Sequence, residues 1–100
     1  MRLMPIGKVT HVYRPIGCVA ISLFASSDFT IMAGEHLLFE KGDPDKPDLM
    51  GNHRSRHQIL NIQIGHVDQD AAFSGDECGL ELSGRDLPPN NATAYLILAM

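Results

Sequence analysis

Histidines are the residues best able to do chemistry in this sequence. His53 and His57 are four residues apart, and His66 precedes Asp68 by two. A zinc site needs three or four protein ligands, held at about 2 Å from the metal. A spacing of four brings two histidines together on a helix, but this segment is predicted to be a loop that leads into a strand. We therefore expect no metal and no other cofactor, and we expect these histidines to be solvated polar side chains.

Two cysteines are the candidate nucleophiles. Cys18 and Cys78 lie in separate apolar runs and do not form a Cys-x-x-Cys pair. Free cysteines in apolar runs are usually small buried side chains, and a buried thiol is inert unless its thiolate is stabilised. No pattern in the sequence positions a cysteine or serine beside a histidine. We therefore predict that the chain is not an enzyme.

A short basic patch covers the segment His53-Arg54-Ser55-Arg56-His57. Paired arginines are suited to contact phosphates, so the patch is a candidate RNA-binding surface. The whole chain, however, has eight basic and twelve acidic residues and a net charge of −4. This balance counts against a general nucleic-acid binder, which needs clustered Lys and Arg. A solvated loop with ordinary surface side chains is the competing interpretation.

The sequence lacks the phosphate-binding loop of a GTPase, which excludes this class of enzyme. The sequence contains no G-x-x-x-x-G-K-[ST] motif, which would cradle the phosphates and place a lysine on them. The segment Asp76-Glu77-Cys78-Gly79 does match D-x-x-G, a second signature of such enzymes. This short match is expected by chance, and we predict that GTP is not a ligand.

The elements that must position these residues are strands, because hydrophobic residues recur with a period of two. Val19, Ile21 and Leu23 alternate with smaller residues, and Leu60, Ile62 and Ile64 alternate with polar ones. Such alternation places one face of a strand in a core and the other toward solvent. No segment has the pattern of an amphipathic helix. The pattern predicts six strands, at about 6–13, 17–24, 36–41, 58–67, 77–83 and 94–98.

The organisation predicted from these strands is one all-β domain over residues 1–100. A turn at residues 14–17 joins the first two strands, since Pro15 fixes φ and Gly17 tolerates positive φ. An irregular loop covers about 42–56, with the sequence GDPDKPDLMGNHRSR, and a loop of this length is either mobile or functional. Closure into a barrel would remove exposed strand edges, although a small sandwich fits the strand count too.

The composition favours a cytoplasmic protein without a membrane partner. The hydrophobic fraction is 44%, as in a folded globule. The first residues contain no apolar run of signal-peptide length, and no run approaches the roughly 20 residues of a membrane span. Cytoplasmic location is the expectation from these features.

The order of the glycine turns resembles the second domain of translation elongation factor Tu. Residues 70–82, DAAFSGDECGLEL, are similar to that domain's D-x-A-x-x-G-D-x-x-G-L-x-L run, and residues 31–35, IMAGE, resemble its I-x-x-G-[DE] turn. The opening segments IGKVTH and GCVAI also resemble its first hairpin. The resemblance extends from about residue 5 to residue 98, apart from the longer 42–56 segment. The chain is also similar to short stand-alone elongation-factor-like proteins and to barrels appended to collagenase-like peptidases.

This resemblance implies a six-stranded antiparallel Greek-key β-barrel of the translation-factor second-domain type. In that family the domain receives the aminoacylated end of transfer RNA. Gln63 and His66 stand where the family carries an acidic residue and an arginine in the pocket. The resemblance thus implies that these two side chains contact RNA, although His66 replaces an always-charged arginine.

Two functions follow from these observations. The first is a non-enzymatic, translation-factor-like binding module that binds RNA or a ribonucleoprotein. Its candidate binding residues are Arg54, Arg56, His57, Gln63 and His66. The alternative is a protein–protein docking or accessory barrel for a separate enzyme such as a collagenase-like peptidase. The acidic balance favours the second function, and the family resemblance favours the first.

Overall fold

A computed structural model describes residues 2–26, 28–42 and 53–99 of the chain. The chain in these residues is almost entirely β-structure, with a short 3₁₀ turn at Arg14–Ile16. The strands are β1 (Arg2–Tyr13), β2 (Cys18–Leu23), β3 (Thr30–Met32), β4 (His36–Lys41), β5 (His53–Ile64), β6 (Val67–Gln69), β7 (Ala71–Phe73), β8 (Glu77–Leu82) and β9 (Thr93–Ala99). No helix within the described ranges is long and apolar enough to cross a membrane.

Six of these strands close into a barrel. The main sheet has the order β4-β9-β1-β2-β8-β5-β6, and an additional pairing joins β4 to β5. Every pairing is antiparallel, and the closing one runs from His36 opposite Gln58 to Lys41 opposite His53. Strand β6 lies outside the ring and forms a hairpin with the end of β5. The ring therefore reads β1-β2-β8-β5-β4-β9.

The period-two pattern decides which side chains fill the barrel. On β2 the residues alternate strictly, with Val19, Ile21 and Leu23 buried and their neighbours partly exposed. On β8 the buried positions are Cys78, Leu80 and Leu82. The remaining core residues come from the other strands and the loop after β8: Ile6, Val9, Ile31, Leu37, Phe39, Ile59, Ile62, Ala72, Leu87, Ala92 and Ala94. On β5 a register shift between Ile59 and Asn61 interrupts the alternation, so Leu60, which the sequence pattern placed on the same face as Ile62, is instead 50% exposed.

Two smaller pieces add to the core. The two-stranded sheet of β3 and β7 contributes Ile31 and Ala72, both fully buried. The segment 83–92 contributes Leu87 and the buried Pro88. Backbone hydrogen bonds between residues 9 and 91 and between residues 9 and 92 hold this segment against β1. These pieces supply apolar surface that the six barrel strands alone would lack.

The predicted fold class is confirmed: the chain is all-β and forms a closed six-stranded antiparallel barrel. Its Greek-key part stays a prediction. All six predicted strands exist, with ends that differ by a few residues, and the turn at residues 14–17 is present. Strands β3, β6 and β7 were not predicted as separate elements, because three residues are too few to establish an alternation.

The predicted loop at about 42–56 needs a correction. Residues 53–56 form the start of β5 and pair with β4. Their polar sequence suggested a loop, but pairing with β4 supplies backbone hydrogen bonds that sequence propensity does not show. Residues 43–52 of the predicted loop lie outside the described residues.

Two glycines in the barrel strands have opposite surroundings. At Gly7 an added Cβ would lie 2.5 Å from the carbonyl oxygen of Ser22, because β1 and β2 approach closely there. At Gly79 the nearest atom to an added Cβ is the carbonyl oxygen of Gln63, at 4.0 Å. A glycine within a strand, such as Gly79, predicts a bulge or a close approach of a neighbouring backbone, and the structure shows neither at this position. Its register with β2 and β5 is regular, and the missing side chain leaves open space.

We predict that Gly7→Ala destabilises the protein by about 1–3 kcal/mol, because the backbone of β2 must move. Gly79→Ala is the matched control, and its free energy of unfolding should stay within about 1 kcal/mol of wild type. Urea unfolding followed by far-ultraviolet circular dichroism measures both values, since the chain has no tryptophan for a fluorescence signal. Equal effects of the two substitutions would contradict the close approach at Gly7.

Candidate functional site

A broad groove crosses the outside of the barrel. It has a volume of about 710 Å³ and lies over strands β1, β2, β8 and β5. The turn between β1 and β2 borders one end, where Tyr13 and Ile16 lie. The turn between β5 and β6 borders the other end, with Gly65 and His66. The groove is therefore built from segments that are far apart in the sequence.

Small residues make the floor of the groove. Ala20 on β2 lies opposite Gly79 on β8, and Gly79 lies opposite Gln63 on β5. In the next row, Cys18 lies opposite Glu81, which lies opposite Asn61. Because Ala20 and Gly79 have little or no side chain, the surface is concave where a barrel is normally convex.

Exposed apolar and acidic side chains form the walls. Tyr13 is 46% exposed and Ile16 is 66% exposed, although both are large hydrophobic residues. Glu77 and Glu81 stand on the outward face of β8 and are exposed. Within the described part of the chain, no Lys or Arg lines the groove. The groove is thus acidic, with exposed apolar surface at one end.

The β5–β6 end of the groove is a compact polar hairpin. Gly65 and His66 both have positive φ, 58° and 65°, as a two-residue type I′ turn requires. Gln63 Nε2 donates to Asp68 Oδ1 at 2.9 Å, and Asn61 Nδ2 donates to the same oxygen at 3.0 Å. These two hydrogen bonds lower the pKa of Asp68. The hairpin therefore keeps a charged carboxylate beside the groove.

Both thiols keep their protons near neutral pH. Burial raises the pKa of Cys78 to about 12, with a further contribution from Asp76. Burial also raises the pKa of Cys18, and the nearby Glu81 carboxylate adds to the effect. Cys78 is buried as predicted, whereas Cys18 is only half-buried and lines the groove. Such thiols are weak nucleophiles, because the thiolate is the reactive form.

The predicted basic patch lies elsewhere, on the part of β5 that pairs with β4. Arg54 Nε is 3.6 Å from Glu40 Oε2, and both side chains are largely exposed. Arg56 is opposite Leu38 on β4. Leu37 and Phe39 point into the core, so Leu38 points outward, and yet its side chain is almost fully buried. The aliphatic part of the Arg56 side chain is placed beside Leu38, since directly opposed side chains are neighbours.

The structure separates the five predicted binding residues into three places. Gln63 and His66 line the groove, Arg54 and Arg56 lie near the other end of β5, and His57 is buried. Arg56 and Gln63 are seven residues apart on one strand, or roughly 23 Å at a rise of about 3.3 Å per residue. They do not form one continuous surface. Whether any of them contacts a partner stays a prediction.

His57 corrects the expectation of a solvated histidine. Its side chain is 3% exposed, and its ring packs edge-on against Phe39 with centroids 5.8 Å apart. Its Nδ1 is 2.6 Å from the carbonyl oxygen of Ser83, and its Nε2 is 2.8 Å from the hydroxyl of Ser55. His57 points inward because odd-numbered residues of this part of β5 face the barrel interior.

His57 takes part in a series of hydrogen bonds. The Ser83 carbonyl can only accept, so His57 Nδ1 is the donor to it. The Ser55 hydroxyl lies between two ring nitrogens, 2.8 Å from His57 Nε2 and 2.5 Å from His53 Nε2. We call His53, Ser55, His57 and Ser83 the interior polar chain. It ties the end of β8 to β5, where Ser83 Oγ also accepts from the Gln58 backbone N–H at 2.8 Å.

The groove residues Tyr13, Ile16, Glu77 and Glu81 were not predicted as a site. A usable signal was present: two strands carry unusually small outward residues, Ala20 on β2 and Gly79 on β8. The alternation shows that these residues face outward, but not that the two strands are neighbours. Among the described residues, no group of three or more His, Cys, Asp or Glu side chains is placed to hold a metal ion.

Comparison with known proteins gives a structural likeness only. No protein-family model and no curated protein matches the chain. The C-terminal domain of a Geobacillus thermoleovorans protein assigned as a U32 peptidase has a similar structure, with a TM-score of 0.62 and 17% identity over 90% of this chain and 89% of that one. A selenomethionine variant of that domain gives 0.60 and 14% identity, over 91% and 96% of the two chains. At these identities the likeness shows a shared fold.

These neighbours correct the resemblance to elongation factor Tu. The structures that match are C-terminal domains of a U32 peptidase and not second domains of that factor. The motifs behind the resemblance are turn residues: Gly34 and Gly75 have φ of 99° and 88°, and Asp76 Oδ2 accepts the Phe73 backbone N–H at 2.9 Å. Such turns are needed wherever strands connect in this way, so they indicate the fold and not the family.

The interior polar chain predicts that stability falls at mildly acidic pH. Burial, and then repulsion from His57, lower the pKa of His53, while Asp86 opposes this effect. The unfolded chain then binds a proton more readily than the folded one. The stabilisation is complete above the ordinary histidine pKa of about 6.5 and is lost as the pH falls through the lowered value. One proton contributes at most about 1.4 kcal/mol per pH unit, and less here because His53 is partly exposed.

Urea unfolding from about pH 7.5 to about pH 5.5 tests this prediction on wild type and His53→Gln. The variant keeps a side-chain amide that can donate to Ser55 but does not titrate. Its free energy of unfolding should depend less on pH than that of wild type. His11→Gln is the control, because His11 is exposed and is not part of the interior polar chain. Its free energy of unfolding should depend on pH as strongly as that of wild type. An unchanged slope in His53→Gln would contradict the assignment.

Proposed function

We propose that this chain is a non-enzymatic docking barrel that binds a partner protein, and that it serves as an accessory module of a separate enzyme such as a peptidase. The observation that carries the proposal is the likeness, over about nine-tenths of both chains, to a barrel that is one domain of a U32 peptidase. A barrel that occurs as one domain beside others is suited to hold or orient something else. The proposal places the chain in the cytoplasm, where its two free thiols would stay reduced.

The distribution of charge supports a protein partner over RNA. Binding to a phosphate backbone needs several cations along one track. Here Arg54 is close to Glu40, and the groove that holds Gln63 and His66 also carries Glu77 and Glu81. A phosphate chain that reached from Arg56 to the groove would meet carboxylates there. The acidic net charge of the whole chain adds to this repulsion.

The local chemistry of the thiols and of His57 supports the non-enzymatic part of the proposal. The pKa values of Cys18 and Cys78 are raised, so their reactive thiolate forms are rare near pH 7. The Ser55 hydroxyl is adjacent to His57, but the ring is 3% exposed and packs against Phe39. A substrate would have to displace core side chains to reach this histidine. The interior polar chain is therefore proposed to be structural.

Filter binding to single-stranded RNA tests the proposal against its rival. We predict no binding at physiological salt, and the same partner protein captured by wild type and by Arg54→Ala/Arg56→Ala. If RNA is the ligand, the double substitution should weaken binding and flatten the salt dependence by up to about 1.4 units, for two phosphate contacts. Arg2→Ala/Arg85→Ala is the control, since it removes the same charge from other exposed positions.

Capture from extract, with and without nuclease, completes this test. A protein partner should remain after nuclease treatment and should bind the purified chain directly. Tight RNA binding that is lost in Arg54→Ala/Arg56→Ala but kept in the control would overturn the proposal. Loss of every captured protein after nuclease treatment would overturn it as well.

A further inference from the structure

The groove on β1, β2, β8 and β5 has the features of a binding surface for a cationic, partly apolar segment. Two carboxylates, Glu77 and Glu81, flank its floor on β8, two residues before and two residues after Gly79. Within residues 2–26, 28–42 and 53–99, neither carboxylate takes part in an ion pair. The Asp68 carboxylate at the β6 edge adds a third negative charge nearby. A ligand with positive charge would gain attraction that the chain itself does not supply.

Apolar surface accompanies these charges. Ile16 and Tyr13 are the parts of the groove with the largest exposed hydrophobic side chains. Single exposed hydrophobic residues are common on protein surfaces, but here two lie together beside a concave floor of Ala20 and Gly79. Coverage by apolar side chains of a ligand would remove this surface from water.

The size of the groove fits a short extended segment. From β1 to β5 there are three strand spacings of about 4.8 Å, or roughly 14 Å across. An extended chain advances about 3.3 Å per residue, so about four residues cross the strands and a hexapeptide covers the groove with its two turns. A small ion would leave most of the volume of about 710 Å³ empty.

We propose that this groove binds an extended segment of a partner protein that presents Lys or Arg side chains and apolar side chains on the same face. The basic side chains lie against Glu77 and Glu81, and the apolar ones cover Tyr13, Ile16 and the floor. The inference rests on the proposed docking function and names the chemistry of the partner. A nucleic acid is disfavoured at this place, because its phosphates would face the same carboxylates.

Peptide titrations on the full chain test the inference. The probe is a fluorescein-labelled hexapeptide, Leu-Val-Lys-Arg-Lys-Leu, in which each face of the extended chain carries both apolar and basic side chains. Two further peptides replace its basic residues by Glu or by Gln. The basic peptide should bind saturably, with a dissociation constant below about 1 mM, and the acidic one should not. In ¹⁵N-labelled protein, the backbone signals of Ala20, Gly79 and Gln63 should shift, while those of the β4–β9 surface should not. Equal binding of the acidic peptide would overturn the inference.

Two variants separate charge from shape. Glu77→Gln/Glu81→Gln should weaken the basic peptide roughly tenfold, since an exposed ion pair contributes up to about fivefold in affinity. Gly79→Leu should abolish binding by filling the floor, and it should stay folded because a Cβ at this position has open space. The control Asp28→Asn/Glu40→Gln removes two exposed carboxylates from other surfaces and should bind like wild type. Unchanged affinity in both groove variants, confirmed folded by their spectra, would overturn the inference.

A photo-reactive side chain distinguishes the failure of this inference from the failure of the docking function. It is placed at position 16, at the exposed border of the groove, in one protein and at position 40, an exposed position on the β4–β9 surface, in another. Protein adducts from position 16 alone support both proposals. Protein adducts from position 40 alone overturn the groove while the docking function stands. Adducts with RNA only, from either position, overturn both.

Discussion

Closure of the barrel through the pairing of β4 with β5 is the constraint on which the rest of the structure depends. Without it, the main sheet would end in exposed edges at β4 and beyond β5, and both edges would be open to pairing with other chains. With it, every barrel strand has two neighbours, and one face of each strand must fill a closed interior. The strict alternation on β2 and β8 follows from this requirement, and so does the burial of His57 on β5.

Closure also explains why the hydrogen-bonded side chains of the interior polar chain occur at this end of the barrel. The inward positions near the start of β5 are His53, Ser55 and His57, and a buried polar group without a partner would cost several kcal/mol. The structure satisfies them through each other and through the Ser83 carbonyl. The result is a directional contact between β5 and the segment after β8, which apolar packing alone would not provide.

The outward face of β2 and β8 is free to carry residues that the barrel core would not accept. Outward positions on β2 and β8 are free of core constraints, and there the chain carries Ala20, Gly79 and two glutamates. Small residues opposite each other on adjacent strands make a concave surface, and the carboxylates beside it determine its charge. The proposed docking role depends on this combination and not on any single motif. The motifs that stand out in the sequence, Gly34-Glu35 and Gly75-Asp76, form turns that connect the strands.

Most of the fold was predictable from the sequence, because side-chain direction along a strand is a local property. The alternation identified the six barrel strands and the all-β class, and it separated inward from outward residues such as Val19 and Ala20. The strand order was beyond this reasoning, since β2 neighbours β8 and β4 neighbours β5 and β9 only through long-range pairing. For that reason Arg54 was expected in a loop, His57 was expected in solvent, and the groove was not predicted at all. The sequence by itself determined which side chains share a face; the tertiary structure decided which strands are neighbours, because only the long-range pairing of β8 with β2 and with β5 brings residues 18–22, 61–66 and 77–81 onto one surface.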